Sequence, residues 1–413
     1  MSTSEQPAMS EPLSANAPVS LRDPERVWDV AHLMETPRVS PFQEPFRGEV
    51  TPIFIEGEPF KGRGTWCFAF YGVPDWATPE RPAPGIVLAH GGAGTAYPEW
   101  VRMWVRRGYA AICVDTCGTL PVQLPGKEWL PNPDGGPHGW GRVEAADEPE
   151  RDQWTYHAVA ALMRSHSFLR SLPGVDADAI GCTGVSWGGF LACILAAADH
   201  RLKFSVPVYG CGFNQEPGGL TAGHPLSETW AALWDASSFL PFVRCPMLWV
   251  DGTNDHAFSL DRVRRSAALA PVPHAFSTHL RMNHGHGAAG EGPREILAFA
   301  DHFLRGGADI VRVGECRVED GLVKAAITPN GRNIVRAELL YTLDGESTPW
   351  TDRLWHFAEA SLEKDLSSVS APLPHGVAEM VLNVITYDGL VFSTPHWTLR
   401  SQGHLPSPPR GTV

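Results

Sequence analysis

The turn at residues 184–188 constrains the fold more than any other part of the sequence. Strand-forming residues 178–183 precede it, and an apolar, alanine-rich run at residues 190–198 follows it. The turn reads Gly-Val-Ser-Trp-Gly and matches the pattern G-x-S-x-G, in which a serine lies on a strained bend with its hydroxyl group exposed. Glycines are needed two residues before and after Ser186, because side chains there would collide where strand and helix pass closely. The pattern predicts a strand, a tight turn and a helix, with Ser186 as a candidate nucleophile or, alternatively, as a simple turn serine.

Strand and helix patterns alternate on both sides of this turn. Buried strands are predicted at residues 85–90, 109–115, 179–183, 204–209, 246–250 and 276–282. Helices are predicted at residues 100–108 and 151–172 and from residues 226, 259 and 293 onward. Strands that alternate with helices imply a mostly parallel sheet with helices on both faces. We therefore predict an α/β domain over residues 46–307, which begins with an antiparallel hairpin of residues 51–57 and 64–71.

The remaining segments differ from this domain in pattern. Residues 1–45 are rich in Ser and Pro and contain one short helical pattern at residues 24–34, which predicts a flexible N-terminal arm. Residues 308–400 contain about six short alternating runs separated by turn pairs such as Asn330-Gly331, which predicts a small C-terminal β-sandwich domain. Residues 401–413 are rich in Pro and Gly, which predicts a loose tail.

Length and charge limit the class of protein. A chain of 413 residues with a net charge of −13 has room for two domains, and no basic stripe is present that could bind nucleic acid. No stretch approaches the ~18 uninterrupted apolar residues of a membrane span. The first 20 residues contain no apolar run typical of a secretory signal, so a cytoplasmic location is predicted. The eight cysteines show no C-x-x-C spacing and are predicted to be reduced and buried.

A catalytic serine needs a base within hydrogen-bond distance, and the base needs an acid that orients it. With the G-x-S-x-G turn, the three occur in the chain order serine, acid, histidine. The acid is expected just beyond the predicted strand at residues 246–250. Asp255 is favoured because the loop before it lets its carboxylate turn back over the edge of the sheet, although a loop aspartate that caps its own turn is an alternative. Asp251, at the strand end itself, is expected to bond the turn.

The base is expected after the last predicted strand, where residues 283–287 read Asn-His-Gly-His-Gly. His286 lies between two glycines, whereas His284 is nearer to the strand end and leaves a loop of comfortable length before the closing helix. The sequence favours His284 slightly and leaves both open, the other histidine lining the pocket or holding the loop. A metal site built from His274, His279, His284 and His286 is disfavoured because no pair of acidic ligands accompanies them.

An oxyanion formed during the reaction needs two N–H donors. The N–H of Trp187, next to the nucleophile, is one candidate, and Gly92, in the loop that follows the first buried strand, is the second, with Ala93 nearly equal. Residues 116–150 show no periodicity, and a loop of this length is typical of a lid or pocket wall. Its tryptophans Trp129 and Trp140 are therefore predicted to line a substrate pocket, where they could stack on a sugar ring.

The sequence resembles the α/β-hydrolase superfamily, in its acetyl xylan esterase, prolyl-oligopeptidase-like and dienelactone hydrolase-like branch. The resemblance covers roughly residues 50–305 and rests on the serine, acid and histidine in order together with four motifs: His90-Gly-Gly, Gly184-Val-Ser-Trp-Gly-Gly189, Val208-Tyr-Gly-Cys-Gly-Phe213 and Asp251-Gly-Thr-Asn-Asp-His256.

The resemblance implies a serine hydrolase that needs no cofactor and no metal. The expected activity is hydrolysis of carboxylic esters, with small acetyl-type groups on a carbohydrate or glycoside as the substrate and a covalent acyl-enzyme. One alternative is an exopeptidase or amidase with the same triad, which needs an acidic anchor such as Glu144, Asp147 or Glu148. A second alternative is a hydrolase-like scaffold that only binds. The expected partners are a small-molecule ester and, in a homo-oligomer, a second copy of the chain.

Overall fold

The computed structural model describes residues 21–42, 49–126 and 128–398. The main sheet contains strands β1 (Val39–Pro41), β2 (Thr51–Phe60), β3 (Arg63–Gly72), β4 (Ala83–Ala89), β5 (Ala110–Val114), β8 (Val175–Val185), β9 (Ser205–Val208), β10 (Met247–Gly252) and β11 (His274–His279). A separate short pair, β6 (Thr119–Gln123) and β7 (Trp129–Pro131), lies in the predicted irregular loop. The helices are α1 (Pro24–Val27), α2 (Val30–Leu33), α3 (Pro98–Arg106), α4 (Trp154–Ser171), α5 (Trp187–Ala198), α6 (Ser227–Trp234), α7 (Leu260–Leu269) and α8 (Arg294–Arg305). The predicted tail and residues 1–20 and 43–45 of the predicted arm lie outside the described residues.

The strands of the main sheet pair in the order β1-β2-β3-β5-β4-β8-β9-β10-β11. The pairings from β5 to β11 are parallel, and those from β1 to β5 are antiparallel. Every residue of β4 and β5 is buried, as expected for parallel strands covered by helices on both faces. The predicted α/β architecture, with a mostly parallel sheet and an antiparallel hairpin before it, is confirmed.

The register of the parallel strands aligns their carboxyl ends at one edge of the sheet. Ala89 of β4 pairs with Gly184 of β8, Val185 of β8 pairs with Val208 of β9, and Val208 aligns with Val250 of β10. The loops that follow these strands therefore meet at the same edge. Ligands of open α/β sheets bind outside this edge, so a binding site is expected among those loops.

Two residues of the N-terminal segment 21–42, Trp28 and Leu33, form hydrogen bonds with α4. The Trp28 side chain is only 2% exposed, and its indole N–H donates a hydrogen bond of 3.0 Å to the Tyr156 carbonyl oxygen. The hydroxyl group of Ser167 donates to the Leu33 carbonyl oxygen at 2.8 Å. Burial of an indole contributes roughly 4–6 kcal/mol as an upper estimate. This cover explains why α4 is buried on all sides from its first residue to Leu169.

The C-terminal residues form strands that continue the main sheet and fold into a second layer. They are β12 (Arg312–Val313), β13 (Arg317–Glu319), β14 (Leu322–Thr328), β15 (Ile334–Thr342), β16 (Trp355–Leu362), β17 (Ser368–Pro372), β18 (Glu379–Thr386), β19 (Val391–Ser393) and β20 (Trp397–Thr398). Strand β19 pairs antiparallel with β11 at the edge of the main sheet. Strand β16 pairs with β15 through its first part and with β17 through its last residues, so it joins the two layers. Across the described ranges, none of the helices is long and apolar enough to span a membrane.

Candidate active site

Ser186 lies on a sharp turn between β8 and α5. Its backbone has φ 59° and ψ −121°, a region that is costly for a residue with a side chain and is found mainly at functional sites. The flanking glycines have no room for a side chain. A Cβ atom on Gly184 would lie 2.0 Å from the Gly188 carbonyl oxygen, and one on Gly188 would lie 1.9 Å from the Ala89 carbonyl oxygen. The close approach of strand and helix predicted from the sequence is therefore present at both glycines.

His284 and Asp255 extend from the ends of two strands toward this serine. The Nε2 atom of His284 lies 2.8 Å from Ser186 Oγ, and its Nδ1 atom lies 2.6 Å from Asp255 Oδ2. Both distances fall within the hydrogen-bond range. The side chain of Asp255 is fully buried and that of His284 is 14% exposed. The structure thus joins Ser186, His284 and Asp255 in one hydrogen-bonded chain.

The carboxylate of Asp255 is held by its own loop. Its Oδ1 atom accepts the backbone N–H groups of Ala257 at 2.9 Å and Phe258 at 2.8 Å, which leaves Oδ2 for the histidine. The prediction that Asp251 bonds this turn is wrong, because Asp255 makes those bonds. The Oδ1 atom of Asp251 is buried without a hydrogen-bond partner among the described residues. Burial, together with the negative charge of Asp255, raises the pKa of Asp251 well above its usual range.

Two aromatic residues, neither of which was predicted to belong to the site, hold the histidine and the acid. The ring of Tyr209 lies 4.4 Å from the ring of His284, and its hydroxyl group bonds both the N–H and the carbonyl oxygen of Gly285. Trp350, in the loop between β15 and β16, donates its indole N–H to the Asp255 carbonyl oxygen at 2.6 Å. Tyr209 follows β9 directly at the sheet edge, so its position in the sequence could have identified it. No local signal identifies Trp350, which reaches the acid only through tertiary packing.

The loop after β4 is fixed by His90. The His90 side chain is fully buried, and burial lowers its pKa to about 3, so the ring is neutral. Its Nε2 atom accepts the Thr116 N–H at 2.9 Å, and its Nδ1–H donates to the Gly91 carbonyl oxygen at 2.8 Å. In a trans peptide the N–H of the next residue points opposite to that carbonyl. The Gly92 N–H is therefore directed away from His90, and no acceptor for it occurs among the described residues.

Three tryptophans surround this loop. A Cβ atom on Gly92 would lie 2.5 Å from the Trp187 ring and 2.6 Å from the Trp140 ring, so the glycine lies between the two indoles. The indole N–H of Trp129 donates to the Ala93 carbonyl oxygen at 3.1 Å. Trp140 remains 46% exposed, whereas Trp187 is buried. The predicted pocket residues Trp129 and Trp140 thus both lie against the glycine loop.

His286 is directed to the glycine loop rather than to Ser186. Its Nε2 atom accepts the Gly91 N–H at 3.0 Å, and its Nδ1 atom lies 2.7 Å from Glu291 Oε1. The other histidines of the metal alternative have separate partners, Val272 for His274 and Ser277 for His279. Within the described parts of the chain, no group of three or more His, Cys, Asp or Glu side chains is arranged to hold a metal ion.

Comparison with known proteins identifies the family. The model of the dienelactone hydrolase family matches residues 69–295, which is a little more than half of the chain and includes Ser186, Asp255 and His284. The chain belongs to the dienelactone hydrolase family. Its membership, together with the fold, makes it a member of the α/β-hydrolase superfamily and indicates a hydrolytic enzyme.

Solved structures similar to this dienelactone hydrolase family member include two acetyl xylan esterases. The esterase from Paenibacillus sp. R4 is 20% identical with a TM-score of 0.53, covering 68% of this chain and 94% of the esterase. Acetyl xylan esterase 1 from Thermoanaerobacterium sp. JW/SL YS485 is 14% identical with a TM-score of 0.51, covering 69% of this chain and 93% of the esterase. The acylaminoacyl peptidase from Pyrococcus horikoshii is 19% identical with a TM-score of 0.44, and the match covers 64% of this chain and 44% of the peptidase. A search of curated proteins gives no match.

Proposed function

We propose that the protein is a serine hydrolase that cleaves carboxylic esters through a covalent acyl-enzyme. The observation that carries this proposal is the hydrogen-bonded chain from Ser186 Oγ through His284 to Asp255 on a strained turn. A serine hydroxyl becomes a competent nucleophile when a neutral imidazole accepts its proton and a carboxylate orients that imidazole.

In the first half of the reaction, Ser186 Oγ attacks the ester carbonyl carbon and transfers its proton to His284 Nε2. Asp255 holds the Nδ1–H of His284 and stabilises the imidazolium that forms. The negative charge on the former carbonyl oxygen is accepted by the N–H groups of Gly92 and Trp187. Trp187 is the first residue of α5, so its N–H has no partner within the helix, and the positive end of the helix dipole faces the same charge.

In the second half, the tetrahedral intermediate collapses and the C–O bond to the alcohol breaks. The leaving alkoxide takes the proton from His284, and the acyl group remains bound to Ser186. Water then attacks the acyl-enzyme while His284 accepts a proton from it. Collapse of the second intermediate returns that proton to Ser186 and releases the carboxylic acid, so the enzyme is regenerated without a cofactor.

The proposed substrates carry a small acyl group on a carbohydrate or glycoside. The exposed indole of Trp140 against the Gly92 loop supports a sugar-binding surface beside the reacting carbonyl, because aromatic faces stack on the apolar faces of sugar rings. The two acetyl xylan esterases with a similar fold make acetyl the first acyl group to test.

The exopeptidase alternative needs a free acidic anchor for a peptide amino terminus. Two of the three predicted anchors already have cationic partners. Glu144 lies 2.8 Å from Arg142, and Glu148 lies 3.0 Å from Lys61. A carboxylate that is already neutralised offers less attraction to an ammonium group, so these contacts disfavour Glu144 and Glu148 as the anchor and leave Asp147, which is exposed.

The ester and amide activities are distinguished by a matched pair of substrates. We expect kcat/KM for p-nitrophenyl acetate to exceed that for p-nitroacetanilide, which differs only in the scissile atom, with the Ser186→Ala protein giving the background rate for both. Alanine p-nitroanilide extends the comparison to a substrate with a free amino group. Cleavage of either anilide faster than the acetate ester would contradict the esterase proposal and favour the peptidase.

The proposed stacking of Trp140 on a sugar ring can be tested by substitution. We expect Trp140→Ala to raise KM for xylose tetraacetate about 5-fold, since loss of an aromatic stacking contact removes on the order of 1 kcal/mol. Hydrolysis of ethyl acetate, which has no ring to stack, is the control substrate, and Trp140→Phe is the control variant that keeps an aromatic face. Initial rates measured by acetate release test this. Equal changes for both substrates would show that Trp140 supports the loop and does not bind the sugar.

A further inference from the structure

His286 makes two directional contacts that fix its protonation pattern. The Gly91 N–H can only donate, so the Nε2 atom of His286, 3.0 Å away, is the acceptor and carries no proton. The proton of the neutral ring is therefore on Nδ1, where it is donated to Glu291 Oε1 at 2.7 Å. The carboxylate of Glu291 thus selects the tautomer that the Gly91 contact requires.

Gly91, which His286 contacts, directly precedes Gly92, the proposed oxyanion donor. His286 holds the peptide between His90 and Gly91, and His90 holds the next peptide, between Gly91 and Gly92, by its carbonyl oxygen. Two consecutive peptide planes are thus restrained by two imidazoles, one acting as acceptor and the other as donor. The orientation of the Gly92 N–H depends on both planes.

A loop of sequence Gly91-Gly92-Ala93-Gly94 needs such a restraint. Glycine has more backbone freedom than any other residue, so this loop has little intrinsic preference for one conformation. An oxyanion donor is effective only when it lies about 2.7–3.1 Å from the developing charge, and its value depends on being oriented before the reaction. The position of the His286 ring is fixed as well, because its centroid lies 4.4 Å from that of the Tyr97 ring and 5.4 Å from that of the Trp100 ring.

We propose that His286, oriented by Glu291, is a positioning residue that holds the Gly91 peptide and thereby aims the Gly92 N–H at the oxyanion. This inference rests on the proposed function. It gives the second histidine of the Asn-His-Gly-His-Gly segment a role in the same reaction that is separate from proton transfer.

The test uses the full-length protein, p-nitrophenyl acetate and a series of variants. Complete loss of an oxyanion donor costs about 10²–10³ in kcat, so loosening one is expected to cost about 10–100-fold. We expect that loss in His286→Leu, with KM changed by less than about 3-fold because the interaction is made mainly in the transition state. His286→Gln is expected to recover much of the loss, because its side-chain oxygen can accept the Gly91 N–H. The inhibition constant of 1,1,1-trifluorobutan-2-one, whose adduct carries an oxyanion, should rise in step with the fall in kcat/KM.

A matched control separates positioning from loss of stability. His302 lies in α8 and has a similar carboxylate contact, 3.2 Å to Asp309, with 24% side-chain exposure against 22% for His286. His302→Leu is expected to retain the wild-type kcat, and thermal unfolding compares the two variants. If His286→Leu does not fold, Glu291→Leu provides the test, since it removes only the partner that sets the tautomer and is expected to lower kcat with the wild-type KM.

The outcomes are distinguishable. A His286→Leu protein that folds and turns over like His302→Leu, or a loss that His286→Gln does not relieve, overturns the positioning role and leaves the proposed function intact. Absence of Ser186-dependent ester hydrolysis in the wild-type protein overturns both.

Discussion

Replacing Ser186 with alanine is expected to lower kcat for p-nitrophenyl acetate by about 10⁶-fold, the size of loss known for removal of a serine nucleophile that acts with a histidine and an acid. The hydroxyl group that forms the acyl-enzyme is lost, and a residual rate remains because the oxyanion donors and the binding surface persist. The fold should be unaffected, because alanine keeps the Cβ atom and the change removes only the hydroxyl oxygen. Release of p-nitrophenolate over long incubations measures the residual rate, and thermal unfolding checks the fold.

Two comparisons strengthen this prediction. His284→Ala should cause a loss of similar size, and the double variant should be no worse than either single variant, because the residues act as one unit. A fluorophosphonate probe should label the wild-type protein at Ser186 and should not label Ser186→Ala. If Ser186→Ala retains ester hydrolysis within 10-fold of wild type, the proposed mechanism is wrong. A wild-type protein that neither labels nor hydrolyses esters would favour the non-catalytic scaffold.

The sequence predicted the central features of the fold because they depend on local patterns. The turn around Ser186 requires glycines at fixed spacing, and the buried parallel strands are continuous apolar runs. The strands predicted in the C-terminal segment, at residues 315–318, 322–328, 336–342, 379–388 and 390–393, do not include β16 and β17. The β16 sequence is half-exposed and contains Ala and Glu, which are depleted in strands, and its pairing with β15 and β17 overrides that weak preference.

The sequence could not decide between the two histidines for a similar reason. His284 and His286 are two residues apart on a glycine-rich loop, where no periodic pattern fixes which way a side chain points. In the structure the contacts of Tyr209 with Gly285 direct one imidazole to Ser186 and the other to the glycine loop. Such long-range contacts, like that of Trp350 with Asp255, leave no trace in a local pattern.

Replacing Asp255 with asparagine is expected to lower kcat by about 10⁴-fold, because it stabilises the tautomer of His284 that carries its proton on Nε2. The geometry of the acid loop makes this outcome specific. The N–H groups of Ala257 and Phe258 require an acceptor at the Oδ1 position, so the asparagine oxygen will occupy that position. Its NH₂ group then faces His284 and can only donate to Nδ1. The proton of the ring moves to Nε2, which can no longer accept the proton of Ser186.

Asp251→Asn is the matched control for this change, because it makes the same substitution four residues earlier in the same segment. Burial, with the charge of Asp255, raises the pKa of Asp251 well above its usual range, and asparagine has nearly the same shape as aspartic acid. We expect Asp251→Asn to keep kcat within about 3-fold of wild type, since His284 is bonded by Asp255 and the Oδ1 atom of Asp251 has no hydrogen-bond partner to lose among the described residues. Parallel kinetics and thermal unfolding of the two variants decide the assignment of the acid. A large loss in Asp251→Asn together with a small one in Asp255→Asn would reverse the assignment, because the carboxylate that orients His284 must then be Asp251.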